Sequence, residues 1–467
     1  MKITTGLFPN CVWQRGANNL SDQLVTGCAE PDCTLICAVR GRNGVHQTIR
    51  GIRTDAAGNF SFRITDLPIG GPYVVSIADD TGSQQVIVDN ILIGDLWLLA
   101  GQSNMQGVGA LEGEPPAVDS VRFFGLDHCW GVAHGRLHDY RTAAAPVYNR
   151  IRAELNGTTE FLPRYDHTGI GPGTAFGQYL FKKTGVPQGL VPAALGGTAM
   201  AHWDPEKKDA GPEGSLYAAM LDSIRLTGGR ISGLFWYQGC SDTGGDGSHL
   251  AYADATRKFF AALKSDLNFP DMPVVMVQIA GVVTGGMPDP ACDARWAHVR
   301  EAQRNFQEKT EKIAVVPACD LCYEDGIHLD QTSQYVLGRR CGEAMCALLG
   351  VPGVPPMPIE LEKMEYRLNE RLDAMEIEVT YRNVSGALSS GGVRSSGFAV
   401  VDADGRVIDR ICAIRPHGNK VVLRLAWTNG KLPEGQKIAY AYGCSPSANI
   451  TDSAGRSLPA FGPLDVQ

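Results

Sequence analysis

Long apolar runs are missing from this sequence. No apolar window approaches the roughly 18–20 residues that cross a bilayer, and the opening MKITTGLFPN has one lysine with no apolar stretch behind it. The sequence therefore predicts neither a membrane span nor a secretory signal, and we expect a cytoplasmic protein. A signal peptide removed before the printed start would give the same opening.

Clusters of positive charge are also missing. The 42 lysines and arginines are outnumbered by 50 aspartates and glutamates, for a formal net charge of −8. Nucleic acids and anionic membranes attract proteins through basic patches, so neither is an expected partner. A neutral or only locally charged substrate fits this composition better, and internal repeats and low-complexity tracts are absent as well.

Cysteine is more plentiful, with thirteen residues. An odd count does not suit a complete disulfide framework. Four of them, Cys37, Cys341, Cys346 and Cys412, fall in predicted strands or helices, where small buried thiols are common. The pattern favours a reducing compartment.

The length of 467 residues exceeds one ordinary core, which stops growing near roughly 250–300 residues. Three sections differ in pattern. Residues 1–90 and 351–467 show short apolar alternations between turn signals, which predict an N-terminal antiparallel β domain and a C-terminal β domain. The proline-rich segment 350–360 reads as a linker before the last section.

Residues 91–350 follow another pattern, in which short apolar runs alternate with helical stretches. The runs LWLLAG, GLVPAALGG, GLFWYQG, PVVMVQIAG and KIAVVPACD lack polar alternation, as strands buried on both faces do. This alternation predicts an α/β domain with a doubly wound, mostly parallel sheet. Ligand sites in such sheets form at the carboxyl ends of the strands.

Ser103 stands at one such strand end, in LWLLAGQSNMQG. It is either a turn residue or a nucleophile. A serine hydroxyl needs a base to take its proton, and the base needs an orienting group. YEDGIHLD, after the last strand run, offers both in Asp325 and His328, because three-residue spacing lets the carboxylate accept the imidazole Nδ1 proton. Each half alone is weak evidence, whereas the two together at strand ends favour catalysis.

Acyl transfer also requires hydrogen-bond donors for the developing oxyanion. The backbone N–H of Ser103 is one candidate, at the start of a predicted helix. Gly197, in ALGGTAMAHW, is a second, although a tight turn would also use glycine there. The amide of Gln238, in FWYQGCSD, is a third, with a solvated loop as the alternative.

Other groupings carry less weight. LDHCWGVAHGRLHDY brings four possible metal ligands close in sequence, but a loop over the pocket, with Trp130 facing a sugar, explains it equally well. CDLC at 319–322 has redox spacing outside a redox frame, and DTGGDGSH lacks EF-hand spacing. Trp203, Trp236 and Tyr237 are expected in the core, with sugar stacking as the alternative. We expect no metal and no cofactor. The four possible ligands are His128, Cys129, His134 and His138.

Taken in order, GDLWLLAGQSNMQG, ALGGTAMAHW, FWYQGCSD and DGIHLD resemble the four blocks of the SGNH (GDSL-like) hydrolases. More narrowly, the chain is similar to the sialate O-acetylesterase-like carbohydrate acetylesterases. VREAQ at 299–303 and the flanking β segments also fit, so the resemblance covers nearly the whole chain. It implies a flavodoxin-like catalytic domain flanked by β domains.

The resemblance implies that Ser103 is the nucleophile, His328 the general base, Asp325 its orienting group and Gly197 an oxyanion donor. The third block departs from the pattern, which has glutamate where this chain has Cys240 and Asn or Asp where it has Asp242. An ionised aspartate cannot donate to an oxyanion, so Gln238 is the better local candidate.

The function predicted from these observations is a serine esterase that removes O-acetyl groups from carbohydrates through an acetyl-enzyme intermediate. Its expected partner is an acetylated sugar or oligosaccharide, and a sialate O-acetylesterase-like activity fits first. Esterases for acetylated xylan, mannan or xyloglucan oligosaccharides are the alternative. A carbohydrate-binding protein without catalysis is a second alternative, against which Ser103, Asp325 and His328 argue.

Overall fold

The computed structural model describes residues 1–111, 116–160, 169–286, 289–309, 312–426 and 432–467. It shows a mixed α/β protein with several sheets. Among these residues, helices with the length and apolarity needed to cross a membrane are not found.

The strands follow in chain order: β1 (Lys2–Thr5), β2 (Val12–Gln14), β3 (Leu20–Cys28), β4 (Thr34–Gly41), β5 (Gly44–Arg53), β6 (Asn59–Pro68), β7 (Gly70–Asp79), β8 (Gln85–Gly101), β9 (Val121–Phe124), β10 (Trp130–Val132), β11 (Gln188–Pro192), β12 (Gly233–Tyr237), β13 (Val274–Gln278), β14 (Ile313–Pro317), β15 (Glu360–Asn369), β16 (Ala374–Arg382), β17 (Phe398–Val401), β18 (Val407–Ile408), β19 (Ile411–His417), β20 (Lys420–Leu425), β21 (Lys437–Tyr440) and β22 (Phe461–Leu464).

The α-helices follow in the same way: α1 (Ser103–Gln106), α2 (Pro146–Asn156), α3 (Gly173–Thr184), α4 (Gly211–Gly214), α5 (Leu216–Leu226), α6 (Ser248–Asp266), α7 (Pro290–Lys309) and α8 (Gln331–Leu348). Side chains define several of their starts. Ser215 accepts from the Ala218 N–H before α5, and Asp330 accepts from the Ser333 N–H before α8. These contacts pair N–H groups that a helix start otherwise leaves without an acceptor.

The described chain divides into two compact units. The first unit contains Met1–Gly197, His202–Phe235 and Ala262–Met272, and the second contains Thr198–Ala201, Trp236–Ala261 and Pro273–Gln467. Strand β12 has residues in both. The division into domains 1–90, 91–350 and 351–467 stays a prediction.

The start of the first unit is antiparallel β structure, as its alternating sequence indicates. Strand β3 pairs with β1 and β6, and β4 pairs with β5 and β7. Burial alternates along β3, which places its apolar side chains on one face.

Strand β8 continues from this antiparallel region into a parallel one. Its first part pairs antiparallel with β7, from Gly70 opposite Ile93 to Ala78 opposite Gln85. Its second part pairs parallel with β11, from Asp95 to Leu99. The predicted boundary at residues 90 and 91 therefore lies inside one continuous strand.

The carboxyl end of β8 is buried, as its apolar run predicts. Every residue from Ile91 to Gly101 is buried. The strand stops at Gly101, whose φ of 137° is far more accessible to glycine than to other residues. Helix α1 begins two residues later at Ser103, so the predicted strand end at the serine is confirmed.

Parallel pairing also occurs in the second unit. All residues of β13 and β14 are buried, and the two strands pair in parallel from Val274 opposite Ile313 to Gln278 opposite Pro317. Helices α7 and α8 contact β14. The two apolar runs that predicted these strands are confirmed. The doubly wound, flavodoxin-like arrangement as a whole stays a prediction.

The end of the chain is β structure as predicted. It forms two antiparallel sheets, with strand orders β15-β16-β20-β19 and β18-β17-β21-β22. Apolar residues from both sheets share a core that includes Ile377, Val379, Val400, Leu423 and Ile438. This sheet-on-sheet core follows from the period-two alternation of the sequence.

Gly94 offers a test of the β8 region. A Cβ at this position would lie 1.9 Å from the Pro187 carbonyl oxygen, which is backbone and cannot rotate away. We expect Gly94→Ala to lower the free energy of unfolding by about 3 kcal/mol. A Cβ at Gly245 meets nothing within 4 Å, so Gly245→Ala should change it by less than about 1 kcal/mol. Urea unfolding of both variants checks this; equal stabilities would contradict the close approach.

Candidate active site

Ser103 is the first residue of α1 and is half-buried, between the buried residues Gln102 and Asn104. The Gln102 carbonyl accepts from the Met105 and Gln106 N–H groups, each at 2.9 Å, which makes a tight turn after β8. Helix α1 has only four residues, so its dipole adds less than the sequence prediction assumed. The Ser103 backbone N–H itself remains a candidate donor.

The Gly196–Gly197 turn lies against this serine within the first unit. A Cβ at Gly196 would come 3.3 Å from the Ser103 Cβ. The Gly196 N–H donates to the Gln106 Oε1 at 2.8 Å, which ties the turn to α1. Gly197 has a φ of 75°, a conformation suited to glycine. The structure thus places Gly196 against Ser103 and Gly197 next to it in the chain, and the role of Gly197 as an oxyanion donor stays a prediction.

Two side chains hold Ala194, two residues before this turn. The Tyr140 hydroxyl donates to the Ala194 carbonyl at 2.8 Å, and the Ala194 N–H donates to the His138 Nε2 at 3.1 Å. Burial lowers the pKa of His138 to about 3, an effect partly offset by the Gln106 backbone. His138 is therefore neutral at physiological pH and uses Nε2 as an acceptor, which leaves that nitrogen occupied.

The surroundings of the possible metal ligands between residues 126 and 140 are also visible in the structure. Groups of three or more His, Cys, Asp or Glu side chains arranged to hold a metal are not found in the described part of the chain. His128 stacks on Phe124, and the rings of His134 and Phe123 meet edge to face. The contacts explain these histidines by packing.

The Asp325–His328 loop belongs to the second unit and has the predicted internal geometry. The His328 Nδ1 lies 2.7 Å from the Asp325 Oδ2. The Asp325 Oδ1 accepts from the N–H groups of Ile327 at 2.7 Å and His328 at 2.8 Å. A β-bridge between Tyr323 and Leu329 closes the loop. The carboxylate therefore fixes both the imidazole and the backbone that carries it.

The charge state of Asp325 suits this role. Burial raises its pKa, but the hydrogen bonds from the His328 backbone and imidazole and from the Ile327 backbone outweigh burial, and the net pKa is below its ordinary value. The ionised carboxylate accepts the Nδ1 proton, which leaves the His328 Nε2 as the basic nitrogen.

Sequence reasoning gave Arg300 no role, although its guanidinium is one of the most buried charges in the second unit. It is 1% exposed and donates to the carbonyls of Ile279 at 3.0 Å, Ala280, Ala441 at 3.2 Å and Gly443 at 2.6 Å. Burial lowers its pKa. Arg300 thus joins the segment after β13 to the segment after β21.

The segment that Arg300 holds leads to the histidine loop. The Val282 N–H donates to the Cys444 carbonyl at 2.7 Å, and the Val283 N–H donates to the Gly326 carbonyl at 2.7 Å. Gly326 lies between Asp325 and His328. Arg300 therefore supports the Asp325–His328 loop through these backbone hydrogen bonds. In the sequence, its place in VREAQ was the only sign that it matters to the site.

Gln238 is fully buried, which differs from the solvated-loop alternative. Its Nε2 donates to the Thr198 carbonyl at 3.1 Å and to the Asp242 Oδ2 at 2.5 Å. An amide nitrogen has two protons, so both are engaged here. Its oxyanion role stays a prediction, and that role would require Gln238 to give up one of these bonds.

Asp242 is an acceptor rather than a donor. Its two carboxylate oxygens each lie 3.1 Å from the Met200 nitrogen, and one also accepts from Gln238. Burial raises the Asp242 pKa to about 6, and the bonds from Gln238 and Met200 offset this in part. The carboxylate therefore holds the segment that directly follows Gly197.

The remaining aromatic and cysteine predictions have clear outcomes. Trp203, Trp236 and Tyr237 are fully buried core residues, so they offer no face for sugar stacking. All thirteen cysteines are free. Of the CDLC pair, Cys319 is buried and Cys322 is exposed, as expected for buried or loop thiols. Cys412, expected to be buried, is exposed: it lies on the edge strand β19, where the register shifts between Ile411 and Ala413.

Comparison with known proteins adds independent information. The family model of the carbohydrate esterases described as sialic acid-specific acetylesterases matches residues 93–347, more than half of the chain. A probable carbohydrate esterase of Arabidopsis thaliana is 29% identical over 273 residues, covering 53% of this chain and 89% of the relative. The range matched by the family model contains Ser103, Gly197, Gln238, Asp325 and His328.

The structural comparison extends over nearly the whole chain. A crystal structure of a carbohydrate acetylesterase from Xanthomonas citri has a TM-score of 0.71 at 20% identity, and covers 98% of this chain and 99% of that chain. An Arabidopsis thaliana structure has a TM-score of 0.41 at 26% identity and covers 55% of this chain and 97% of that chain. The first likeness shows a shared fold.

Asp242 gives a pH-dependent prediction. Its pKa is above the ordinary 3.8, so the folded protein binds its proton more tightly than the unfolded chain does. The Asp242 contribution to stability is therefore lost as pH rises from about 4 to about 7, by about 3 kcal/mol. In Asp242→Asn this part of the pH dependence should disappear.

Urea unfolding at both ends of that pH range measures the effect. The exposed carboxylate of Asp254, paired with Arg257 on α6, provides a matched control as Asp254→Asn. The control should keep the wild-type pH dependence. If Asp242→Asn also keeps it, Asp242 does not titrate as its burial implies.

Proposed function

This chain belongs to the sialic acid-specific acetylesterase family of carbohydrate esterases, and we propose that it hydrolyses O-acetyl esters of carbohydrates with Ser103 as nucleophile. The observation that supports this most is the Asp325–His328 pair, in which one carboxylate oxygen lies against the imidazole Nδ1 and the other accepts from the backbone N–H groups of Ile327 and His328. Such a pair serves a base that accepts a proton and returns it.

In the proposed reaction the Ser103 Oγ attacks the acetyl carbonyl carbon while the His328 Nε2 accepts the hydroxyl proton. The bond between the carbonyl carbon and the sugar oxygen then breaks, and His328 gives its proton to that oxygen. A water molecule, deprotonated by His328, attacks the acetyl-Ser103 carbonyl. Acetate leaves and the serine regains its proton, so no cofactor is needed.

The oxyanion of both tetrahedral intermediates needs donors, for which we propose the backbone N–H groups of Ser103 and Gly197. The close approach of Gly196 to Ser103 supports this pairing. Gln238 is the third candidate from the sequence, and its bonds to Thr198 and Asp242 favour a supporting role. The flavodoxin-like arrangement expected for this fold would deliver all of these groups at strand ends.

The proposed substrate is an O-acetylated carbohydrate. The description of the family supports an O-acetylated sialic acid as the first substrate to test. Acetylated xylan, mannan and xyloglucan oligosaccharides form the second class.

Acetate release from 4-nitrophenyl acetate and from acetylated sugars tests the proposal. We expect Ser103→Ala to lower kcat by roughly 10⁴-fold or more, and Asp325→Asn to lower it by roughly 10³–10⁴-fold because the imidazole loses its orienting carboxylate. Ser83→Ala, in an exposed turn, is the matched control and should keep full activity. Undiminished hydrolysis by Ser103→Ala would overturn the nucleophile assignment. Failure of the wild type on every acetyl ester would support carbohydrate binding without catalysis.

A further inference from the structure

A cavity of about 360 Å³ lies in the first unit, between β9, the edge strand β10 and the segment that follows them. Its size is within the range of small-molecule sites, about 300–1,000 Å³. Its lining residues include Phe123, Asp127, Cys129, Arg136, His138 and Asp139.

The cavity wall combines aromatic carbon with oxygen acceptors. Phe123 is half-buried and offers part of its ring, whereas Trp130 pairs opposite Phe124 and packs on that ring, on the other face of the hairpin. Asp127 is exposed, and its Oδ1 accepts from the Cys129 N–H at 3.0 Å, which leaves Oδ2 as a further acceptor. Apolar ring surface beside fixed carboxylates suits the alternating C–H and O–H surfaces of a sugar.

The charges in the wall are nearly balanced. Hydrogen bonds from the Arg141 side chain keep the pKa of Asp139 below its ordinary value, and both Asp139 carboxylate oxygens accept from that guanidinium. Arg136 also lies near enough to Asp139 to lower that pKa. Asp139 is paired with Arg141, and the charges of Asp127 and Arg136 balance each other, so these four residues supply no excess positive charge for an anionic ligand.

The cavity adjoins the proposed oxyanion turn through His138. This side chain lines the cavity and accepts the Ala194 N–H at 3.1 Å, three residues before Gly197. Its other contact is the backbone of Gln106, three residues after Ser103. A ligand in the cavity would thus lie beside the segments that carry the nucleophile and its proposed donor.

We propose that this cavity binds a neutral sugar residue of the acetylated substrate. This proposal rests on the proposed function, from which it takes an acetylated carbohydrate as the substrate. It favours acetylated neutral oligosaccharides over sialic acid. Asp127 would accept a hydroxyl hydrogen, and the ring of Phe123 would face the C–H groups.

Footprinting of the wild-type protein tests binding without catalysis. Cys129 lines the cavity and is exposed, and Cys412 is exposed on β19 outside it. Alkylation at mildly alkaline pH, followed by peptide mass mapping, measures both rates. Unacetylated xylo-oligosaccharides should slow alkylation of Cys129 at least about threefold and leave Cys412 unchanged. Protection of Cys129 by N-acetylneuraminic acid instead would overturn the neutral class, and protection by neither would overturn the site.

Kinetics separate this proposal from the proposed function. Asp127→Asn keeps the acceptor for the Cys129 N–H, and we expect it to raise KM for acetylated xylo-oligosaccharides roughly tenfold. Its kcat/KM for 4-nitrophenyl acetate, which has no sugar, should not change. Asp22→Asn, at an exposed carboxylate paired with Arg63, should change neither.

The outcomes of these kinetic measurements remain distinct. Loss of hydrolysis of both esters by the wild type would contradict the proposed function, and the footprint would still decide the cavity. An unchanged KM in Asp127→Asn, or an equal loss on both esters, would contradict a sugar-binding role for the cavity.

Discussion

Buried backbone must find hydrogen-bond partners, and this constraint shapes each candidate site loop of the protein. The loops that follow β11, β12, β13 and β14 leave their sheets in buried surroundings, where helix or strand ladders do not satisfy every N–H and carbonyl. Side chains supply the missing partners. In the first unit, Gln106 accepts from Gly196, and His138 and Tyr140 hold both backbone groups of Ala194.

The second unit meets the same constraint with charged groups. Arg300 donates to carbonyls in the segments that follow β13 and β21, and Asp242 accepts from Met200. Both are costly to bury unless fully bonded, so loss of either partner would leave an unpaired charge. The hydrogen bonds that these two side chains make offset this cost and hold the loops in place, as the proposed site for acyl transfer requires.

This constraint explains how the candidate site could be predicted in part from sequence. Asp325 and His328 were identified because their interaction is local, at a spacing of three residues. Ser103 and Gly197 were identified because apolar strands that end in glycine mark the edge of a parallel sheet. The roles of Gln106, Arg300 and Asp242 depend on which distant backbone groups are buried, and sequence patterns do not contain that information.

The fold, too, could be predicted only in part from the sequence. The apolar runs of β8, β11, β13 and β14 predict buried strands because both faces lack polar residues. The continuity of β8 across residues 90 and 91 was not predicted, since its first part alternates and its second part does not. A change of pattern was interpreted as a boundary, whereas one strand pairs antiparallel along its first part and parallel along its second.

The central claim is that Ser103 carries the acetyl group during turnover. Rapid mixing with 4-nitrophenyl acetate, acid quenching and peptide mass mapping would locate that group directly. The account predicts one acetyl group on the peptide that contains Ser103, formed within the first turnover and absent in Ser103→Ala. An acetyl group on another residue, or steady hydrolysis with an unmodified Ser103 peptide at every time, would contradict it.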